Sequence, residues 1–236
     1  VLQGTGSGLD VTGNLTVSGL VSLPDTNSFI DVPTGQFSAG SVSLGGFQAF
    51  IDASGGLATV GGTISLTGNR AFFEGGPGSA LGPVSITGAQ AFVSHYGGTQ
   101  GPVTASGTAA FWEAGGAVTI TGTPAVQLAG TAFVSSFGGP AVVTINGDVT
   151  VGGTGAFFDV SGGDHFTVNG NLQTTGGGYL QMTQATDTVE VNGNISFGGG
   201  LKTVAEGAFY SCVSLAGVSV PDNITSIEAQ AFADCT

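Results

Sequence analysis

Side chains suited to acid–base, redox or ligand chemistry are few in this chain: fifteen carboxylates, two histidines, two cysteines, Arg70 and Lys202. The carboxylates are patterned. Asp52, Glu74, Glu113 and Asp159 each stand two residues after a recurring phenylalanine, and Ser94 and Ser135 hold the same place in between. A glycosidase needs two carboxylates held about 5–10 Å apart. Oxygen ligands on neighbouring rungs of a stack can instead share a calcium ion, and Asp52 with Glu74 is the candidate pair. A solvated column on the outside or at a corner of the fold explains the same pattern without chemistry.

The remaining candidates assemble no catalytic centre. His95 and His165 share no phase with each other, and neither stands in a Ser-His-Asp or Cys-His arrangement. Both read as surface or corner residues. Glycine-rich stretches abound, but no G-x-x-x-x-G-K-[ST] phosphate loop occurs. Arg70 and Lys202 lie far apart in the chain, so the cationic base of a polysaccharide lyase has no support. The expectation is a protein that is not an enzyme, with no catalytic residue and no cofactor-binding residue. Asn14, Asn194 and Asn223 each head an Asn-x-Ser/Thr sequon and are the glycosylation candidates.

What must position these residues is a repeat. Ala-Phe pairs recur at Ala49-Phe50, Ala71-Phe72, Ala91-Phe92, Ala110-Phe111, Ala132-Phe133 and Ala156-Phe157, with intervals of 22, 20, 19, 22 and 24 residues. Phe29 extends the series upstream, and Ala208-Phe209 and Ala231-Phe232 end it. Alternating segments such as Thr63-Ile64-Ser65-Leu66-Thr67-Gly68 precede the pairs, and glycine pairs such as Gly55-Gly56 follow them. Period-2 alternation closed by glycine reads as a short strand and a tight turn. One unit is therefore strand, turn, strand, turn. The architecture that puts like residue directly above like is an all-β, right-handed parallel β-helix, a β-solenoid of about ten coils at about 4.8 Å each. The phased Phe side chains, Phe72, Phe92, Phe111 and Phe133 among them, are expected to stack in one shared core, with Trp112 as packing. Yet Phe50-Ile51, Phe72-Phe73 and Phe111-Trp112 are consecutive apolar pairs. If no bend or cover buries both members, one becomes an exposed stripe and marks an interaction surface. Asn-Gly at 146–147, 169–170 and 192–193 suits either a hairpin or a coil corner, and the corner is the preferred reading.

Composition narrows the function. Charged residues are 7% of the chain and the net charge is −13, so nucleic acid and polybasic membrane contact are excluded. Hydrophobic residues are 41%, enough for a real core, and no apolar run is long enough to span a membrane. A surface of Ser, Thr, Asn and Gln suits fibres and cell-surface arrays. The start at Val1, without Met or a signal peptide, reads as a processed or truncated product.

Residues 201–236 read differently from residues 1–200. Ala208-Phe209-Tyr210-Ser211-Cys212, then Leu215, then Val218-Ser219-Val220-Pro221, then Ile224-Thr225-Ser226-Ile227 and Ala231-Phe232-Ala233-Asp234-Cys235 follow one spacing. This segment resembles the BspA-like leucine-rich repeat family, whose Cys and Pro the first 200 residues lack. The earlier part loosely resembles surface-protein parallel β-helices, and Gly13-Asn14-Leu15-Thr16-Val17-Ser18-Gly19 is similar to strands of phage tail fibres. The resemblance implies leucine-rich-repeat coils that continue the solenoid, and cell-surface adhesion. Cys212 and Cys235 hold equivalent places in successive units, which makes them either buried ladder thiols or a disulfide. The combined expectation is a secreted structural or adhesive protein, extracellular or at the cell surface. Its main partner would be itself, in a head-to-tail filament whose N-terminal strand completes the C-terminal coil. A glycan or a host surface is a further candidate partner. The alternative is a viral tail-fibre or tailspike-like protein that binds glycans.

Overall fold

The computed structural model describes residues 1–137, 140–160, 162–182, 187–198, 203–204, 209, 215, 217–220, 222 and 224–235. Lys202, Cys212 and Asn223 lie outside the described residues. Within them the chain is all β and contains no helix. Every strand pairing is parallel. The result is a β-solenoid of about nine turns, close to the ten expected from the sequence.

Each coil has three sides. The first side begins at the phased Phe, in strands such as Phe50–Ala53, Phe72–Gly75, Phe92–His95 and Phe111–Ala114. These belong to a nine-stranded sheet, from Gly8–Asp10 to Tyr179–Met182. The second side runs through Leu57–Val60, Ser79–Leu81, Gly98–Gln100 and Ala117–Thr121. The third runs through Ile64–Leu66, Val84–Ile86, Val103–Ala105 and Val126–Leu128. Two nine-residue strands, Leu15–Leu23 and Gln36–Leu44, pass through the corner and join the second and third sides into one sheet. The third side continues into the C-terminal segment, where Gly217–Ser219 hydrogen-bonds to Asn194–Ser196. A separate short pair links Thr203–Val204 to Ser226–Ile227.

The core is a column of Ala, Val, Ile and Leu from all three sides, and it corrects one expectation. The phased Phe residues do stack, but on the outside. Ala49, Ile51 and Ala53 are fully buried while Phe50 and Asp52 alternate outward, and the pattern repeats as Ala71, Phe73 and as Ala91, Val93. The cause lies in the period-2 pleat. A residue two places after Phe shares its face, so a register that buried Phe50, Phe72 and Phe111 would also bury Asp52, Glu74 and Glu113. An unpaired carboxylate in an apolar core costs more than one ring gains there. The residue after each Phe therefore takes the inside, and Phe73 and Trp112 are fully buried. Each Phe faces outward and the residue after it inward, so the apolar pairs leave a half-buried outer stripe of Phe, although Ser94 and His95 beside it are both buried.

Glycine makes the corners passable. A Cβ on Gly68 would lie 2.0 Å from the carbonyl oxygen of Gly46, and one on Gly88 would lie 2.1 Å from that of Gly68. Successive coils approach so closely here that no side chain fits. The Asn-Gly pairs are also corners rather than hairpins, since the strands they join, Val142–Asn146 and Val149–Val151, stack on different sides. Their amides form a ladder across coils: Asn169 Nδ2 donates to Asn146 Oδ1 at 2.9 Å, and Asn192 Nδ2 to Asn169 Oδ1 at 2.7 Å.

Candidate functional site

The first side carries three parallel columns, and together they form the candidate binding face. The central column is the row of rings. Phe29, Phe50, Phe72, Phe92, Phe111, Phe133 and Phe157 lie with centroids 4.6–5.3 Å apart and planes within 11° of parallel. Register fixes this directly, because each Phe is the hydrogen-bonded neighbour of the next. Each ring face is covered by its neighbour, so solvent meets ring edges.

The second column is acidic. Asp31, Asp52, Glu74, Ser94, Glu113 and Ser135 are register partners in sequence. Asp10 pairs with Asp31 and extends the column upstream. Asp10 and Asp31 were absent from the sequence-derived set, although the Phe-plus-two rule reaches Asp31 from Phe29. Asp159 holds the same place on its strand, beside Gln181. Like charges one rung apart, on partly buried groups, shift their protonation. Burial and then the neighbouring Asp52 and Glu113 raise the Glu74 carboxyl above its ordinary range. Burial also raises Glu113, offset by the Ser94 hydroxyl, which donates to Glu113 Oε1 at 2.6 Å. Burial raises Asp159, with Asp187 and Asp164 adding to it. Among the described residues no three His, Cys, Asp or Glu side chains gather as a metal-holding group. Asp52 and Glu74 are neighbours, but two carboxylates alone fall short of the six to eight oxygens that calcium takes.

The third column stands at the corner just before each Phe. Asn27, Gln48, Arg70 and Gln90 all adopt φ of 55–57°, and their side chains lie beside the ring edges. They line a groove of about 680 Å³ with Phe50, Phe72 and Phe92. Arg70 Nε donates to Gln90 Oε1 at 2.9 Å, and its guanidinium lies 5.9 Å from the Phe47 ring centroid. Sequence reading placed Arg70 only as an isolated cation. The corner column was missed because side chains at positive φ have no signature in a list of residue types.

The other candidates scatter. His165 is exposed, as expected, and lies near the hydroxyls of Thr188 and Thr167. His95 is the correction: it is fully buried, its Nε2 3.3 Å from the Ser79 carbonyl oxygen, which accepts the ring N–H. Its register neighbours on the two flanking coils are the small residues Gly75 and Ala114. Asn14 is exposed and accepts from the Gln36 amide, and Asn194 is exposed at a corner. The Cys235 thiol is free and donates to the Phe209 carbonyl at 3.0 Å. Its proposed partner Cys212 is outside the described residues.

With this geometry in place, the comparisons add one family. Residues 143–236 match the family model described as the BspA type leucine rich repeat region (6 copies). The match covers less than half of the chain. It starts in the strand Val142–Asn146, so the likeness reaches well upstream of residue 201, where the Cys and Pro marks are missing. That family is associated with surface and adhesion proteins. No curated protein and no solved structure matches the chain.

Proposed function

We propose that this protein is a secreted structural or adhesive solenoid of a cell surface. The observation that carries the reading is the outward row of seven Phe rings, an apolar strip held on the surface over successive coils. Strips of that kind usually mark contact with a partner. The BspA-type match over residues 143–236 supports the surface setting. Labelling intact, unpermeabilised cells with an antibody against the solenoid tests the setting. Signal on intact cells is expected, and signal only after permeabilisation sinks it.

The finer part of the reading is head-to-tail association into a filament. Parallel ladders offer strand edges only at the two ends of a stack, so copies that add there extend one continuous ladder. Electron microscopy of native material checks this. Filaments of single-solenoid width are expected, and dispersed rods at high concentration count against it. An intact mass well above 22.9 kDa, glycans allowed for, would assign those edges to further coils of the same chain.

A second reading, a tail-fibre-like glycan-binding protein, is favoured by the groove beside Arg70. A trimer in light scattering would support that reading over the filament.

A further inference from the structure

We infer that the corner groove holds a neutral polysaccharide chain laid along the solenoid axis, with Arg70 and the flanking amides as its hydrogen-bonding wall. The inference names the ligand class of the adhesive face and rests on that reading. Its first support is conformational. Asn27, Gln48, Arg70 and Gln90 occupy the left-handed region, with φ of 56°, 55°, 57° and 57°. Every non-glycine residue there carries strain that glycine avoids. This chain has 45 glycines and uses them freely at its other corners. Four successive rungs nevertheless keep a long or polar side chain at the strained position. The next rung keeps the same conformation with Ala109, at φ 50°, so the turn belongs to the corner and the four longer polar side chains are what the corner presents.

The second support is that these side chains do little for the fold. The amides of Asn27 and Gln48 make no hydrogen bond among the described residues, and Gln90 meets only Arg70. Arg70 is the only fixed cation among the described residues of a chain with a net charge of −13, yet it pairs with no carboxylate there. A guanidinium with free N–H groups beside unengaged amides offers donors and acceptors in the arrangement that vicinal hydroxyls satisfy. The polar groups recur once per rung, about every 4.8 Å. That step is close to the length of one sugar unit in an extended chain. Across the groove the edges of Phe50, Phe72 and Phe92 form an apolar wall for the C–H side of the sugar rings.

Charge decides between classes of glycan. The column Asp31, Asp52 and Glu74 borders the same rings, and the whole chain is strongly negative. That field opposes a polyuronate or a sulfated glycan more than one arginine attracts it. An extended peptide finds no open strand edge along this side, because each strand is already paired on both of its edges.

The experiment uses the full chain against immobilised hexasaccharides of β-1,4-glucan, β-1,3-glucan and β-1,4-mannan, with a polyuronate hexamer as the charged control. The key variants are Arg70→Gly and Gln90→Gly, because glycine suits the local φ and leaves the fold intact, as circular dichroism and the melting temperature would show. Saturable binding of at least one neutral probe is expected, weakened about tenfold or more by Arg70→Gly, the size of one lost charge-assisted hydrogen bond. Ser65→Ala on the third side should leave binding unchanged. Binding to none of the neutral probes, binding indifferent to Arg70→Gly, or a preference for the polyuronate each overturns the inference. Because intact-cell labelling reads the surface setting separately, a labelled surface without glycan binding sinks this inference alone.

Discussion

The rings of Phe92 and Phe111 lie 4.7 Å apart and 2° from parallel, on the outer face of two strands whose next residues, Val93 and Trp112, fill the core. One step along the backbone thus separates a surface role from an interior one. The two positions should respond differently to truncation. Phe111→Ala removes two ring contacts, each worth about 0.5–1.5 kcal/mol beyond area, and leaves no cavity. A loss of about 1–2 kcal/mol is expected. Phe73→Ala empties a fully buried site and should cost about 3–5 kcal/mol. Urea denaturation of both variants checks the ranking, and equal losses would contradict the inside–outside assignment.

The repeat and the parallel stack were legible because like residues recur in phase, and register does place Phe50 on Phe72 on Phe92. The side on which Phe lies was also written in the sequence. Asp52 and Glu74 sit two residues after Phe50 and Phe72, and a strand cannot bury one without the other. Reading the Phe row as core and the acids as solvated breaks that parity. The corner column of Asn27, Gln48, Arg70 and Gln90 was not legible, because its common feature is a positive φ rather than a residue type. His95 was misplaced for a similar reason. Only the stack shows that its register neighbours are the small residues Gly75 and Ala114.

Close coil stacking predicts a sharp contrast between two glycines. Gly68→Ala would bring a Cβ to 2.0 Å from the Gly46 carbonyl oxygen, a contact that only backbone movement can relieve. A loss of at least about 2 kcal/mol is expected. At Gly61 an added methyl group would meet nothing within 4 Å, so Gly61→Ala should stay within about 0.5 kcal/mol of the parent. Thermal melts of the pair suffice. Similar melting points would mean that the coils are spaced more widely than described.

The acidic column works against the fold near neutral pH. Burial first, then Asp52 and Glu113, hold the Glu74 carboxyl above its ordinary value of 4.5. The folded state therefore binds more protons than the unfolded state just above pH 4.5, and stability falls as pH rises through that window. Glu74→Gln removes the charge. Because Glu74 is only partly buried, the gain should be modest, a few tenths to about 1 kcal/mol at pH 8. No gain is expected below pH 4, where the parent carboxyl is already protonated. Denaturation midpoints at the two pH values give the answer. A destabilised variant at pH 8 would instead point to an attractive role for this carboxylate.

His95 sets the opposite limb of the pH profile. The ring is fully buried, edge-on to Trp112 with centroids 6.5 Å apart, and burial lowers its pKa from 6.5 to about 4 despite the hydrogen bond to the Ser79 carbonyl. Nε2 carries the proton towards that carbonyl, while Nδ1 is buried without a partner. A second proton on Nδ1 would place an unpaired charge in the core. The unfolded chain meets no such penalty, so between pH 6.5 and about 4 it binds more protons than the folded chain. Stability from this group is then complete above pH 6.5, falls as pH drops through the window, and levels below about 4. The full span corresponds to about 3 kcal/mol. The carboxylate column slopes the other way over part of the same range, so the parent profile alone is a sum of both. His95→Gln can keep a donor to the Ser79 carbonyl but cannot titrate, and the difference between the two profiles isolates the histidine. That difference should grow in favour of the variant as pH falls from 7 to 4 and stay flat above 7. Parallel profiles across that range would mean that the His95 ring reaches solvent in the folded protein.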